Sequence, residues 1–296
     1  SNDNNPSVYR DLENILSGKC VFSISKRARD GERENSLALA TKEQFQIIDL
    51  LSQTPRLLVD GLAGTGKTQM AVKTATREAD KGKVLFLAYN KNLIKELQSS
   101  IPLISDNITV ESIDKFFKDN VTNTVDLSLE NYWDEILPMQ FADSATNNKL
   151  NEYYDYLVID EAQDILSKPY KVYALNKVLR DGLSDGKWSL FGDFNEQLIY
   201  DSSIREELFL NLHKYCDQSR YITWTVNKNS RNPIDIGTYA EKYGRIKQHY
   251  EGFLRTDEGS VEPLIFAEGN RLQKVKEVIE SLLDNEYLPN EIVVLS

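Results

Sequence analysis

Cysteine and histidine are scarce in this chain, with only Cys20, Cys216, His213 and His249 among 296 residues. Two cysteines build no disulfide framework, which points to a reduced, cytoplasmic protein. So few thiols and imidazoles also argue against a zinc site of histidine and cysteine. Long apolar runs are missing as well. None approaches the roughly 18 residues of a membrane span, and no signal peptide opens the chain, so no membrane partner is expected. Positive charge is in deficit. A formal net charge of −11 argues against a uniformly basic nucleic-acid surface and leaves room only for a local basic groove. What is present, 41% hydrophobic and 27% charged residues, suits a globular chain with a sizeable core, as one large domain or two ordinary ones. The opening Ser1-Asn2 and the strand-like end Val293-Val294-Leu295-Ser296 read as those of an excised fragment.

The most informative stretch is Gly61-Leu62-Ala63-Gly64-Thr65-Gly66-Lys67-Thr68, with spacing G-x-x-x-x-G-K-T. It comes after an apolar run from Arg56 to Asp60 that reads as a buried strand, and an alanine-rich helical pattern from Met70 to Ala79 succeeds it. Strand, glycine loop and helix together form the context of a phosphate-binding loop. Glycines let backbone N–H groups turn inward around an anion, and the helix start adds partial positive charge. In that setting Lys67 would reach the β- and γ-phosphates, and the Thr68 hydroxyl would ligate Mg²⁺.

Strand and helix patterns alternate from there, which predicts an α/β P-loop fold with a mostly parallel sheet flanked by helices. Strands are expected at 83–88, 107–110, 156–159, 188–191, 221–225 and 261–266, with a last one after Asn290. Helices are expected at 91–98, 112–117, 172–179, 204–215, 232–242 and 271–283. Thr41 to Gln44 reads as a capped helix start. Residues 119 to 152 are polar and weakly periodic, with a possible helix around Trp133, and read as a surface insertion. At the carboxyl end of the strand 156–159, Asp160-Glu161 lies on the same sheet edge as the glycine loop. Asp160 would hold Mg²⁺, and Glu161 would orient or deprotonate water.

GLAGTGKT, YLVIDEAQD, LFGDFNEQLIY and NSRNPIDI, in that order, resemble the superfamily 1 helicases of the UvrD/Rep type, and the finer likeness is to bacterial members with a preceding nuclease-related domain. The resemblance implies an N-terminal extension at 1–40, a RecA-like ATP-binding domain at 41–230 and the start of a second, truncated RecA-like domain at 231–296. It implies ATP and Mg²⁺ as cofactors, bound through Gln44, the loop residues Gly61 to Thr68, and Gln69. Gln44 matches the glutamine that reads adenine, Gln197 the one that senses the γ-phosphate, and Arg231 the arginine that contacts it from the domain cleft. Tyr89, Asn90, Ser112 and Tyr200 match positions that meet single-stranded nucleic acid, DNA more than RNA.

The chain also departs from that pattern. Ser230 stands where relatives carry an aromatic stacked on adenine, and Gln69 where they often carry arginine, so acceptance of several nucleotides is expected. The segment between Phe117 and Tyr153 is too short for a large accessory subdomain, and the later motifs are missing, so slow hydrolysis is expected. Two other classes stay open. One is a regulatory ATP switch that moves no strand. The other is a small-molecule kinase, which Gln197 and Arg231 in their motif settings disfavour.

Overall fold

The computed structural model describes residues 48–49, 51, 53–100, 105–121, 129–146, 153–194, 202–244, 249–255, 259, 261, 270–285, 287–292 and 294. Expectations for residues 1–47, including the helix start at Thr41 and the role of Gln44, lie outside these residues, as do those for Gln197 and Tyr200.

Six strands, β1 (Arg56–Gly61), β2 (Val84–Ala88), β3 (Ile108–Ser112), β4 (Tyr156–Asp160), β5 (Lys187–Gly192) and β6 (Ile222–Val226), form one sheet in the order β3-β2-β4-β5-β1-β6. Every pairing in it is parallel. Parallel strands need crossover helices, which cover both faces and allow continuous apolar runs such as Val84-Leu85-Phe86-Leu87-Ala88. The crossovers are α1 (Lys67–Ala79), α2 (Lys91–Ser100), α3 (Ile113–Asp119), α4 (Leu137–Thr146), α5 (Ala162–Leu166), α6 (Pro169–Val178), α7 (Gly182–Asp185) and α8 (Ser202–His213).

Strand alternation divides the core in two. Leu58, Leu85, Leu87, Leu157, Ile159 and Leu190 face one way, onto residues of α3 to α8. Leu57, Val59, Val84, Phe86, Val158 and Phe191 face the other way, onto Met70, Ala71 and Ala75 of α1 and Ile94 and Leu97 of α2. The period of two along each strand produces this split directly.

The expected surface insertion at 119–152 is corrected by the structure. Tyr132–Ile136 forms a π-helical turn that runs into α4, and Tyr132, Leu137, Phe141 and Ala142 are fully buried in the first core. The Phe141 ring centroid lies 4.6 Å from that of Phe117 and 5.6 Å from that of Phe116. The wide turn shifts the register of the buried stripe, so an ordinary helical period does not fit it. Exposed Trp133 and Met139 blur the pattern further.

After β6, the short strand β7 (Lys228–Asn229) pairs in parallel with β8 (Gly252–Phe253), and α9 (Ile234–Gly244) lies between them in sequence. The chain divides into two compact units, Ser1–Gly259 and Ser260–Ser296. The second contains α10 (Arg271–Asp284) and a 3₁₀ turn at Pro289–Glu291, and residues 292 and 294 beyond that turn are not strand. No helix among the described residues is long and apolar enough to cross a membrane.

Phe141→Ala removes a fully buried ring from a helix that sequence patterning places on the surface. We expect a loss of about 3–5 kcal/mol in urea denaturation. An unchanged midpoint would return residues 132–146 to the surface.

Candidate nucleotide-binding site

At the carboxyl end of β1 the chain turns through Leu62 to Gly66 and enters α1 at Lys67. Gly64 and Gly66 both adopt left-handed backbone, φ 81° and 82°, which glycine reaches without the Cβ clash of other residues. Gly61 lacks a Cβ for a different reason. One placed there would lie 2.7 Å from the Val226 carbonyl of the neighbouring strand. The Thr65 hydroxyl donates to the Leu62 carbonyl at 2.8 Å and closes the loop on itself. The start of α1 leaves its first N–H groups without intrahelical partners, and these are the groups an anion would meet.

Lys67 lies over this loop, its Nζ donating to the Gly61 and Leu62 carbonyls at 2.7 and 3.0 Å. Burial pulls the ammonium pKa below its ordinary value, while Glu161, Asp193, Asp160 and Asp60 oppose that shift. Those four carboxylates surround the head of the glycine loop with negative charge, which suits a cation carried in with an anion.

The Thr68 hydroxyl donates to Asp160 Oδ2 at 2.6 Å, so the start of α1 and the end of β4 meet side chain to side chain. Asp160 is fully buried, and its carboxyl pKa is pushed up to about 6 by burial, with Glu161 adding to the effect. A buried carboxylate beside a hydroxyl is a donor set of hard oxygens of the kind that fits Mg²⁺. Glu161 comes next in left-handed backbone at φ 52°, a strained conformation for a residue with a Cβ and one that concentrates at functional sites.

Four participants escaped sequence reasoning. Gln163 donates through Nε2 to Glu161 Oε2 at 2.8 Å and accepts at Oε1 from the Asp193 N–H at 3.1 Å. Asp60 accepts from the Phe194 N–H at 3.0 Å and ties the ends of β1 and β5 together. Asn229 Oδ1 accepts from the N–H groups of Arg231 and Asn232, both at 2.9 Å. That turn presents the Ser230 and Arg231 N–H groups to the Gly64 carbonyl at 2.8 and 3.1 Å, and the Ser230 hydroxyl also reaches it. Tyr250 donates its hydroxyl to the Ala63 carbonyl at 2.6 Å. For Gln163 a sequence signal existed, since it stands two places beyond Glu161; the other three depend on distant chain segments.

Of the expected site residues that are described, Gly61 to Thr68, Asp160 and Glu161 come together, and the backbone of Arg231 joins them. Gln69 is exposed on the first turn of α1. Tyr89, Asn90 and Ser112 lie on the same sheet edge, past or at the ends of β2 and β3. Tyr89 is 48% exposed, with the Lys171 Nζ 5.4 Å from its ring centre. Asn90 accepts from the Leu93 N–H at 3.3 Å at the start of α2. Ser112 is buried, and its N–H donates to Glu111 Oε1 at 2.9 Å.

A parallel sheet with a glycine loop and an acidic strand end on one edge defines an α/β P-loop core. The model of the family described as "Type III restriction enzyme, res subunit" matches residues 27–178, just over half of the chain. The chain belongs to that family. Among solved structures, a Bacteroides Pif1 bound to ssDNA is similar at 14% identity with a TM-score of 0.32. The likeness covers 63% of this chain and 41% of that one, so the chain spans less than half the length of that relative. No curated protein matches the chain.

Gly64→Ala forces a Cβ into left-handed backbone, 3.1 Å from Asn229 Oδ1 and 3.3 Å from the Arg231 Cβ. We expect a loss of about 1–2 kcal/mol from the backbone alone. Thermal unfolding checks this, and an unchanged midpoint would mean the loop is not held in this conformation.

Proposed function

We propose that this chain is the ATPase core of a helicase- or translocase-type motor, coupling Mg-ATP hydrolysis to single-stranded nucleic acid, with DNA favoured over RNA. The observation that carries the proposal is the Thr68–Asp160 bond of 2.6 Å beside the left-handed turns at Gly64 and Gly66. It supports a reading in which two oxygens, of Thr68 and Asp160, would hold a cation beside a phosphate held by the glycine loop. Thr68 and Asp160 would hold Mg²⁺, which would supply positive charge against the phosphates. Lys67 would leave the Gly61 and Leu62 carbonyls for phosphate oxygens. Glu161 would accept the proton of the attacking water, and Arg231 would offset charge on the γ-phosphate.

The remaining roles rest on the UvrD/Rep-type resemblance and belong to the same proposal. Gln44 would read the base, Gln197 would sense the γ-phosphate, Gln69 would line the nucleotide, and Tyr89, Asn90, Ser112 and Tyr200 would meet the strand. Residues 41–230 would be one RecA-like domain and 231–296 part of a second, in a cytoplasmic protein linked to a nuclease-related domain. A second reading, an ATP-driven switch that signals to a partner, draws support from the formal charge of −11 and from the bonds that tie Ser230, Arg231 and Tyr250 to the glycine loop.

Lys67→Ala should weaken Mg-ATP binding about 100-fold, on the scale of deleting one member of a buried charge pair. Glu161→Gln should keep binding and lower turnover by about 10²–10⁴. Calorimetry and phosphate release measure the two, and unchanged affinity in the first would refute the phosphate-loop assignment.

Single-stranded DNA should raise ATPase activity, and the stimulation should fade between about 50 and 200 mM salt. A response equally flat for DNA, RNA and no polynucleotide would favour the switch.

A further inference from the structure

Gln163 has no part in the roles proposed for its neighbours, yet its side chain joins two sides of the site. It lies on α5, fully buried, with its Nε2 2.8 Å from Glu161 Oε2 and its Oε1 3.1 Å from the Asp193 nitrogen. Both ends of the amide are fixed by their partners. A backbone N–H only donates, so the amide oxygen must face Asp193, and an ionised carboxylate only accepts, so the NH₂ must face Glu161. The fit is close. A Cβ on Gly192, the last residue of β5, would lie 2.5 Å from Gln163 Oε1, so the amide occupies space that only glycine leaves.

We propose that Gln163 is a positioning residue for hydrolysis, holding the Glu161 carboxylate against the end of β5 so that its other oxygen faces the attacking water. This rests on the reading of Glu161 as the group that takes the water's proton. A glutamate side chain has several free torsions, and its left-handed backbone fixes only where they begin. One charge-assisted hydrogen bond to an amide that is itself anchored on backbone removes much of that freedom before substrate arrives. β5 is a central strand bonded on both sides, and the Asp193 N–H follows directly after its last residue.

The test is single- and multiple-turnover hydrolysis of Mg-ATP by the full chain carrying Gln163→Glu or Gln163→Met. The first keeps the shape and the oxygen that accepts from Asp193 but places an acceptor against Glu161; the second keeps the length and removes both bonds. Turnover should fall about 10–100-fold in each, the scale seen when a group supporting a catalytic side chain is removed, with KM for ATP within about threefold. In a Glu161→Gln background the same substitutions should cost nothing further, because the group they position is already gone.

Unchanged turnover in both variants, losses that multiply with Glu161→Gln, or failure of both variants to fold would overturn the proposal and leave Gln163 a structural amide. If Glu161→Gln itself retains full turnover, the assignment of the base fails first. If that variant is inactive while the Gln163 variants remain active, only the positioning role fails.

Discussion

Parallel register is the constraint on which every part of the site depends. Asp60 stands opposite Gly192, Gly61 opposite Val226, and Ala88 opposite both Asp160 and Ser112. The strands therefore end together, and the residues after each strand are brought to one edge. The glycine loop succeeds β1, Tyr89 succeeds β2, Glu161 succeeds β4, Asp193 succeeds β5, and the turn from Asn229 to Arg231 comes just after β6. An antiparallel neighbour would send one of these groups to the opposite edge, some 15–20 Å away for a strand of this length. The two cores hold the register because a slip of one residue would exchange their side chains between the faces of the sheet.

Electrostatics at that edge is unbalanced. Asp160 is buried at the end of β4, Glu161 is the next residue, and Asp60 and Asp193 stand nearby, with Lys67 the cation in their midst. Burial raises the Asp160 carboxyl to about 6 while it lowers the Lys67 ammonium, so both groups bear the cost of lost hydration. A phosphate–cation pair, if bound as proposed, would relieve both at once, with the anion at Lys67 and the cation at Asp160. The left-handed backbone at Glu161 is a second local cost, held in place by the Gln163 amide and by the Glu161 N–H, which donates to Asp160 Oδ1 at 3.1 Å.

The outer side of the glycine loop is tied down from elsewhere in the chain. The Gly64 carbonyl receives the N–H groups of Ser230 and Arg231, and the Ala63 carbonyl receives the Tyr250 hydroxyl. Asn229 is fully buried and organises the turn that makes this possible. Residues 229–231 therefore share the loop's geometry, and displacement of either would stretch bonds of the other.

Local chemistry determined what could be read without the fold. Glycine spacing leading into Lys67-Thr68, and the acidic pair after the apolar run ending at Ile159, carry their meaning because backbone conformation and charge act over a few residues. Strand and helix alternation from β1 to β6 was legible for the same reason, since periods of two and 3.6 are local, whereas the strand expected at 261–266 lies almost wholly outside the described residues. The buried helix Leu137–Thr146 was not legible, because a π-helical turn breaks the period and only packing against Phe116 and Phe117 shows which side faces inward. Nor were Asp60, Asn229 and Tyr250, whose hydrogen bonds run to residues far away in the chain. Gln163 lies between the two cases. Its place beside Glu161 is written in the sequence, but its anchor on the Asp193 N–H and the space left by Gly192 exist only once β4 and β5 lie side by side. Sequence by itself determined the residue types that gather at that edge, namely glycines, a lysine, a hydroxyl and paired carboxylates. Tertiary structure decided which of them are held still, because hydrogen bonds and close packing across the sheet restrict torsions that residue identity alone leaves free.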